Sequence, residues 1–294
     1  MPVSVTSFPF AVERGFTWVA RRKWFAIVLV GLLSLASRAL LLPVLPIPQP
    51  AVQDEFSYLL ASDTFASGRL ANPTPAFSEH FESPHVLMHP TYSSQYPPLA
   101  GVVMAAGQKF FGEPWIGVWL SSGLLCSAIC WALQGWLPAS WALLGATLAL
   151  VRIGIVSCWS EGYWGGALAG VGGALVIGAV PRLIRRQRPG TAAAYGLGIA
   201  ILANTRPYEG LVLVIACTGY LAVGFVRRKM EIEGLIKRVA VPMILVLAPV
   251  FLWLGYYNYR VTGSPLELPY VAHDRQYATW STLLWQTHAS PEPV

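Results

Sequence analysis

Apolar runs close to the length of a bilayer crossing recur along this chain, at about 24–45, 115–134, 139–158, 163–181, 191–206, 208–226 and 239–257. A hydrocarbon core about 30 Å thick takes roughly 20 helical residues to cross, and a helix satisfies its own backbone groups on the way. Only 191–206 falls short of that length. The pattern predicts an all-α fold, a polytopic transmembrane helix bundle of about seven full spans. Composition agrees: 55% of residues are hydrophobic and 12% are charged, where soluble domains carry about 25% charged residues. The net charge of +6 is gathered in short clusters beside the apolar runs, which suits a membrane protein better than a nucleic-acid binder with a basic face.

Two features of the sequence are read as unremarkable. The four cysteines, Cys126, Cys130, Cys158 and Cys217, lie in or at the edge of apolar runs and match neither a disulfide framework nor a zinc spacing. Arg14 and Arg21-Arg22-Lys23 precede the run 24–45 much as a basic region precedes a signal sequence, but the run exceeds the roughly 7–15 residues of a signal h-region. It is read as an uncleaved first span.

Charge placement sets the orientation. Arg21-Arg22-Lys23, Arg182/Arg185/Arg186/Arg188, and Arg227-Arg228-Lys229 with Lys237-Arg238 are the strongly basic clusters, and all should face the cytoplasm. They share one side only if the ambiguous segment 97–112 lies in the interface or re-enters rather than crossing. The expected layout is one integral membrane domain over 1–294: a cytoplasmic 1–23, a first span 24–45, a long outer loop 46–114, six further spans within 115–257, and an outer segment 258–294 that can be a truncated version of something longer. All five histidines (His80, His85, His89, His273, His288) then face outward, with Asp54, Glu55, Glu161 and Glu209.

The outer loop is too long to be a mere connection. Pro43, Pro46, Pro48 and Pro50 end the first helix and stiffen the exit. Phe56, Leu59 and Leu60 then recur at helical spacing up to Gly68, a plausible stop, which predicts a short amphipathic helix on the membrane surface. Asp54 falls at its first turn, where the helix dipole favours an ionised carboxylate fit to act as a base. The plainer reading is that Asp54 is an N-cap and Glu55 an ordinary first-turn acid. His80 to His85 and His89 to Pro98 mix imidazoles, aromatics and prolines, a composition for an ordered pocket. Pro84 and Pro90 argue against a helix presenting His85 and His89 to one metal, and no metal site is predicted. A divalent cation held by carboxylates stays an open alternative.

The acidic pair Asp54-Glu55-Phe-Ser-Tyr58 after the first span, followed by Tyr96-Pro-Pro-Leu leading into a short apolar segment ending Phe110-Phe-Gly112, resembles the membrane-embedded GT-C glycosyltransferases. Among these it is most similar to bacterial relatives of protein O-mannosyltransferases and aminoarabinose transferases. The resemblance spans the layout of the whole chain, although the motifs that carry it are short. It implies transfer of a sugar from a polyprenyl-phosphate donor to a lipid, glycan or protein acceptor at the outer face of the bacterial inner membrane. It further implies that Asp54 is the catalytic base and Glu55 a supporting or metal-associated acid. Many relatives are considerably longer.

Other outer residues acquire candidate roles beside that pair. A departing lipid phosphate needs cations or hydrogen-bond donors near the interface. Arg152, within an apolar run, and Arg206, at an outer helix end, are the leading candidates, with Arg38 a third. Plainer roles are snorkelling or pairing with Glu161 for Arg152, and interfacial anchoring for Arg206. Tyr58, His85, Tyr96, Glu161 and Tyr163 complete the expected substrate-binding set. The aromatics of Trp159-Ser-Glu-Gly-Tyr163-Trp also suit an interfacial belt. Gly166, Gly170, Ala174 and Gly178, four apart, predict a small-residue ridge for close helix packing. A transporter or flippase would explain an intramembrane arginine and many glycines, but no inverted repeat is visible. A non-catalytic assembly subunit is the third class.

Overall fold

A computed structural model describes residues 7–277. The protein is 72% helical. A short helix α1 (Ser7–Arg21) leads into α2 (Lys23–Leu40), after which the chain turns at 41–45 and exits through the prolines. Then follow α3 (Gln53–Ala66), α4 (Pro98–Phe111), α5 (Trp115–Trp136), α6 (Ala139–Ala149) and α7 (Gly166–Arg185). The remainder is α8 (Pro189–Ala203), α9 (Pro207–Arg227), α10 (Ile232–Leu235), which runs through a π turn into α11 (Val241–Thr262), and α12 (Pro269–Tyr277).

Among the described residues, five helices are long and apolar enough to cross a membrane: Lys23–Leu40, Trp115–Trp136, Gly166–Arg185, Pro207–Arg227 and the continuous Ile232–Thr262. Two further apolar helices, Ala139–Gly154 and Pro189–Ala203, are shorter. The expected run 139–158 ends as helix at a π turn over Leu150–Gly154, where the Ser34 hydroxyl donates to the Gly154 carbonyl at 2.9 Å. Residues 155–165 then form bends and turns rather than the end of one span and the start of the next. The segment 97–112 becomes α4, which at 14 residues is about 21 Å long, short of the hydrocarbon thickness.

Hydrogen bonds define the two ends of the bundle. At one, the Gln134 amide donates to the Lys23 carbonyl (3.1 Å) and Arg182 donates to the Trp131 carbonyl (2.7 Å). The Gln187 side chain lies beside Met230, joining the connection after α7 to the one after α9. The three strongly basic clusters therefore gather at one end of the bundle. At the other end, the Trp115 indole donates to the Ser160 carbonyl (2.8 Å), and the Leu99 amide donates to the Asn204 carbonyl (3.1 Å).

The long loop caps this second end as an ordered layer. α3 lies along α4 and stops at Gly68, whose φ of +75° a side chain would strain. Its buried face is Glu55, Ser57, Tyr58, Ala61, Ser62 and Thr64, while Phe56 is exposed. The face turned inward is thus small and polar, not the apolar stripe expected, because it meets a loop and α4 rather than lipid. Val86–Leu87 pairs antiparallel with Ser93–Ser94, and Leu87 packs on Tyr257 and Val261 of α11 and Ala272 of α12. The Thr91 hydroxyl donates to the Val261 carbonyl (2.8 Å), so the loop is tied to the last helices described.

Candidate functional site

α3 begins after Val52, an extended N-cap that has no side-chain oxygen to offer. Glu55 supplies the missing acceptor. Its Oε2 receives the amides of Ala51 (2.7 Å) and Val52 (3.2 Å), and its Oε1 receives the amide of Tyr163 (2.8 Å). Glu55 is buried, so this one carboxylate both caps α3 and fastens it to the 159–165 junction. Asp54 is thereby released from the capping role the sequence offered it.

Asp54 instead faces the aromatic side of the loop. Its Oδ1 accepts the Tyr96 hydroxyl and lies 3.1 Å from His85 Nε2. Its side chain keeps a quarter of its surface open. On the far side of the imidazole, Gln95 Nε2 lies 2.8 Å from His85 Nδ1. A carboxylate oxygen accepts, so His85 Nε2 is the donor toward Asp54. His85 adopts a left-handed backbone (φ +64°), held by the Ser57 hydroxyl (2.6 Å) and the Gln95 amide (3.2 Å), both donating to its carbonyl. The sequence signal for this was weak: neither His85 nor Gln95 belongs to a motif.

Aromatic rings build the wall. Tyr58 stacks on Tyr96 at 4.2 Å between centroids, and Tyr270 of α12 sets its ring edge-on to Tyr96 at 5.6 Å. The His273 ring lies parallel to His85 at 6.5 Å. Burial raises the hydroxyl pKa of Tyr58, Tyr96 and Tyr270; for Tyr96 the hydrogen bond to Asp54 raises it further. All three stay protonated donors at neutral pH. The Arg206 charge opposes the rise at Tyr58 and Tyr270, which places that guanidinium electrostatically within the group. Burial also lowers the His273 pKa, against the pull of Asp274. Buried Gln95 Oε1 and His273 Nδ1 have no hydrogen-bond partner among the described residues.

Arg206 is the N-cap residue of α9 and pairs loosely with Glu209 at 3.6 Å. The bond from Leu99 to the Asn204 carbonyl brings its turn against the start of α4, directly after Tyr96. Of the expected set, then, Asp54, Tyr58, His85, Tyr96 and Arg206 come together. Tyr270, His273 and Asp274 join them from α12, within the stretch expected only as an outer segment.

The others lie elsewhere. Glu161 forms a fork with Arg38, Nε to Oε1 at 2.5 Å and Nη2 to Oε2 at 3.0 Å, so the expected pairing of Arg152 with Glu161 is corrected. Arg38 is fully buried at the end of α2, donates to the Leu45 and Pro46 carbonyls (3.0 and 3.1 Å), and lies 4.8 Å over the Trp115 ring. Arg152 is exposed in the π turn and has no ion pair among the described residues. The Tyr163 hydroxyl donates to the Pro48 carbonyl at 3.1 Å, and burial pushes its pKa up to about 12. Arg38, Glu161, Tyr163 and Glu55 together hold the loop onto the bundle.

Among the described residues, no three His, Cys, Asp or Glu side chains converge as metal ligands. His80 is near Glu79 (3.9 Å) at the surface, and His89 contacts the Ser78 hydroxyl (3.2 Å). His288 lies outside the described residues. No protein-family model, curated protein or solved structure matches this chain.

Proposed function

We propose that the chain is a membrane glycosyltransferase of the GT-C type, moving a sugar from a polyprenyl-phosphate donor to an acceptor at the outer face of the inner membrane. One observation carries the reading: both donors to Asp54, Tyr96 and His85, converge on Oδ1. Those two donors fix the plane of the carboxylate, and a quarter of its side-chain surface stays open to an acceptor. The acceptor hydroxyl gives its proton to Oδ2 as its oxygen bonds to the sugar's anomeric carbon. The bond from that carbon to phosphate breaks, and the polyprenyl phosphate departs with the electron pair. A single displacement by one base inverts the anomeric centre.

Arg206 is the cation placed to meet the departing phosphate, with the Tyr58 and Tyr270 hydroxyls as neutral donors beside it. Tyr58 and Tyr96 are buried against one another and form the base of the wall, and Tyr270, only partly buried, is the ring with surface left for a sugar. Glu55, which the resemblance implies is a supporting or metal-associated acid, is in this reading a positioning residue, its oxygens occupied by backbone amides. Arg152 has no part in the chemistry.

The test is mass spectrometry of outer-face glycans from cells expressing the wild type or Asp54→Asn. Loss of a general base lowers transfer by roughly 10²–10⁴-fold, so the product should vanish while the variant folds normally. Undiminished product in Asp54→Asn would overturn the assignment.

A further inference from the structure

A second concave surface lies at the basic end of the bundle, opposite Asp54. It is a groove of about 760 Å³ on the flank of the molecule, between α2, α5, α7 and α8. That volume falls within the roughly 300–1,000 Å³ of small-molecule sites. Its mouth holds Arg182, Arg188, Thr191 and Trp131. Beyond the mouth the lining is apolar, including Leu124, Val171, Leu175, Leu197 and Ile201.

Three observations say what fits there. First, the polarity is graded along one direction. From Arg188, the N-cap of α8 at the mouth, to Ile201 near the far end of that helix is about 20 Å at 1.5 Å per residue. Half of a bilayer, headgroup region included, is about 20–22 Å, so the groove is as long as one leaflet is deep. Second, the mouth is cationic without compensation. Arg182 donates to the Gly178 and Trp131 carbonyls (2.6 and 2.7 Å) and rests 4.1 Å from the Trp131 ring. Neither it nor Arg188 has a carboxylate partner among the described residues, so their charge is open to an anion. Third, the walls carry exposed apolar side chains, Trp24, Leu124 and Leu197, with the small Ala194 among the lining residues.

We infer that this groove binds one anionic phospholipid of the leaflet at the basic end, its phosphate at Arg182 and Arg188 and an acyl chain along α7 and α8. A protein segment would need no cation at one end and an acidic partner for both arginines. An uncharged lipid would leave the arginines without a counterion. The lipid seals the cleft where α2 stands apart from α8, and is independent of any chemistry at Asp54.

The test is native mass spectrometry of the full chain released from bilayers of equal phosphatidylglycerol and phosphatidylcholine. One retained phosphatidylglycerol per chain is expected, in clear excess over phosphatidylcholine. Arg188→Gln should reduce that preference about fivefold, the effect of one basic residue at an anionic surface. Ala194→Trp should fill the groove and remove both lipids; Leu197→Trp serves if that variant does not fold. Equal retention of the two headgroups by the wild type would overturn the inference. So would unchanged adducts in a folded groove-filling variant, or a dimer that the filling dissociates.

Discussion

Asp54 and Glu55 are neighbours of the same chemistry whose oxygens meet different partners. Glu55 accepts three backbone amides in a buried setting, and charge-assisted hydrogen bonds contribute about 1.5–3 kcal/mol each. Glu55→Gln should therefore lower the thermal unfolding midpoint of the purified protein by several degrees, while Asp54→Asn leaves it nearly unchanged. Arg38 and Glu161 obey a different rule. Removing one partner strands the other in a dry site, so Arg38→Met should destabilise by about 3–5 kcal/mol. The double variant Arg38→Met/Glu161→Leu should regain most of that loss, read by the same melting measurement. A double variant as unstable as the single one would mean that the carbonyl bonds of Arg38, not the pair, matter. His273 adds a pH signature. Its pKa in the fold lies below the ordinary 6.5, so the unfolded chain binds the extra proton first. Stability is full above pH 6.5 and falls as pH drops from there through the lowered value. His273→Gln should flatten that part of the stability profile.

At the scale of elements, backbone approach rather than apolar burial organises the bundle, as expected where lipid is as apolar as leucine. Gly178 abuts Trp131 and Ala132, and Gly170 abuts Leu125, so the small-residue ridge of α7 packs on α5. A second close approach was not visible in the sequence. A Cβ on Gly198 would sit 2.7 Å from the Gly172 carbonyl oxygen, so α8 meets α7 at paired glycines. These two sit 26 positions apart with no shared motif, and only the crossing of two helices pairs them. Gly198→Val should push α8 away from α7 and destabilise by about 1–3 kcal/mol, which melting in detergent would report. The same variant distorts the upper wall of the lipid groove. α4 teaches the reverse lesson: its apolar run was plain in the sequence and charge placement read it as not crossing, but only the structure lays its 14 residues along α3.

For the whole molecule, orientation is the property with most at stake. Three basic clusters at one end and the Asp54 group at the other make a bundle with distinct faces, and the proposed function needs the orientation that the positive-inside rule predicts, with the loop outside. In a version lacking its cysteines, Phe77→Cys should react with an impermeant maleimide in intact cells. Lys229→Cys should react only after permeabilisation. Both positions are surface-exposed, so failure to label reports sidedness rather than burial. The opposite pattern would put the Asp54 face in the cytoplasm and remove the basis for an outer-face reaction.

What the chain determines by itself is the helical membrane class, the grouping of basic clusters, and the stop at Gly68. Each follows from local composition: run length against a hydrocarbon thickness, charge beside a helix end, a residue free to take positive φ. The tertiary structure alone decided which of two adjacent acids caps α3, that Arg38 and not Arg152 holds Glu161, and that α12 brings Tyr270 and His273 to Asp54. Apart from the local bonds of the cap itself, these depend on residues over 100 to over 200 positions apart meeting at one end of a bundle. Helix periodicity and charge count carry no term for such meetings, because side-chain pairing is settled by how helices pack and where the loop between them lies.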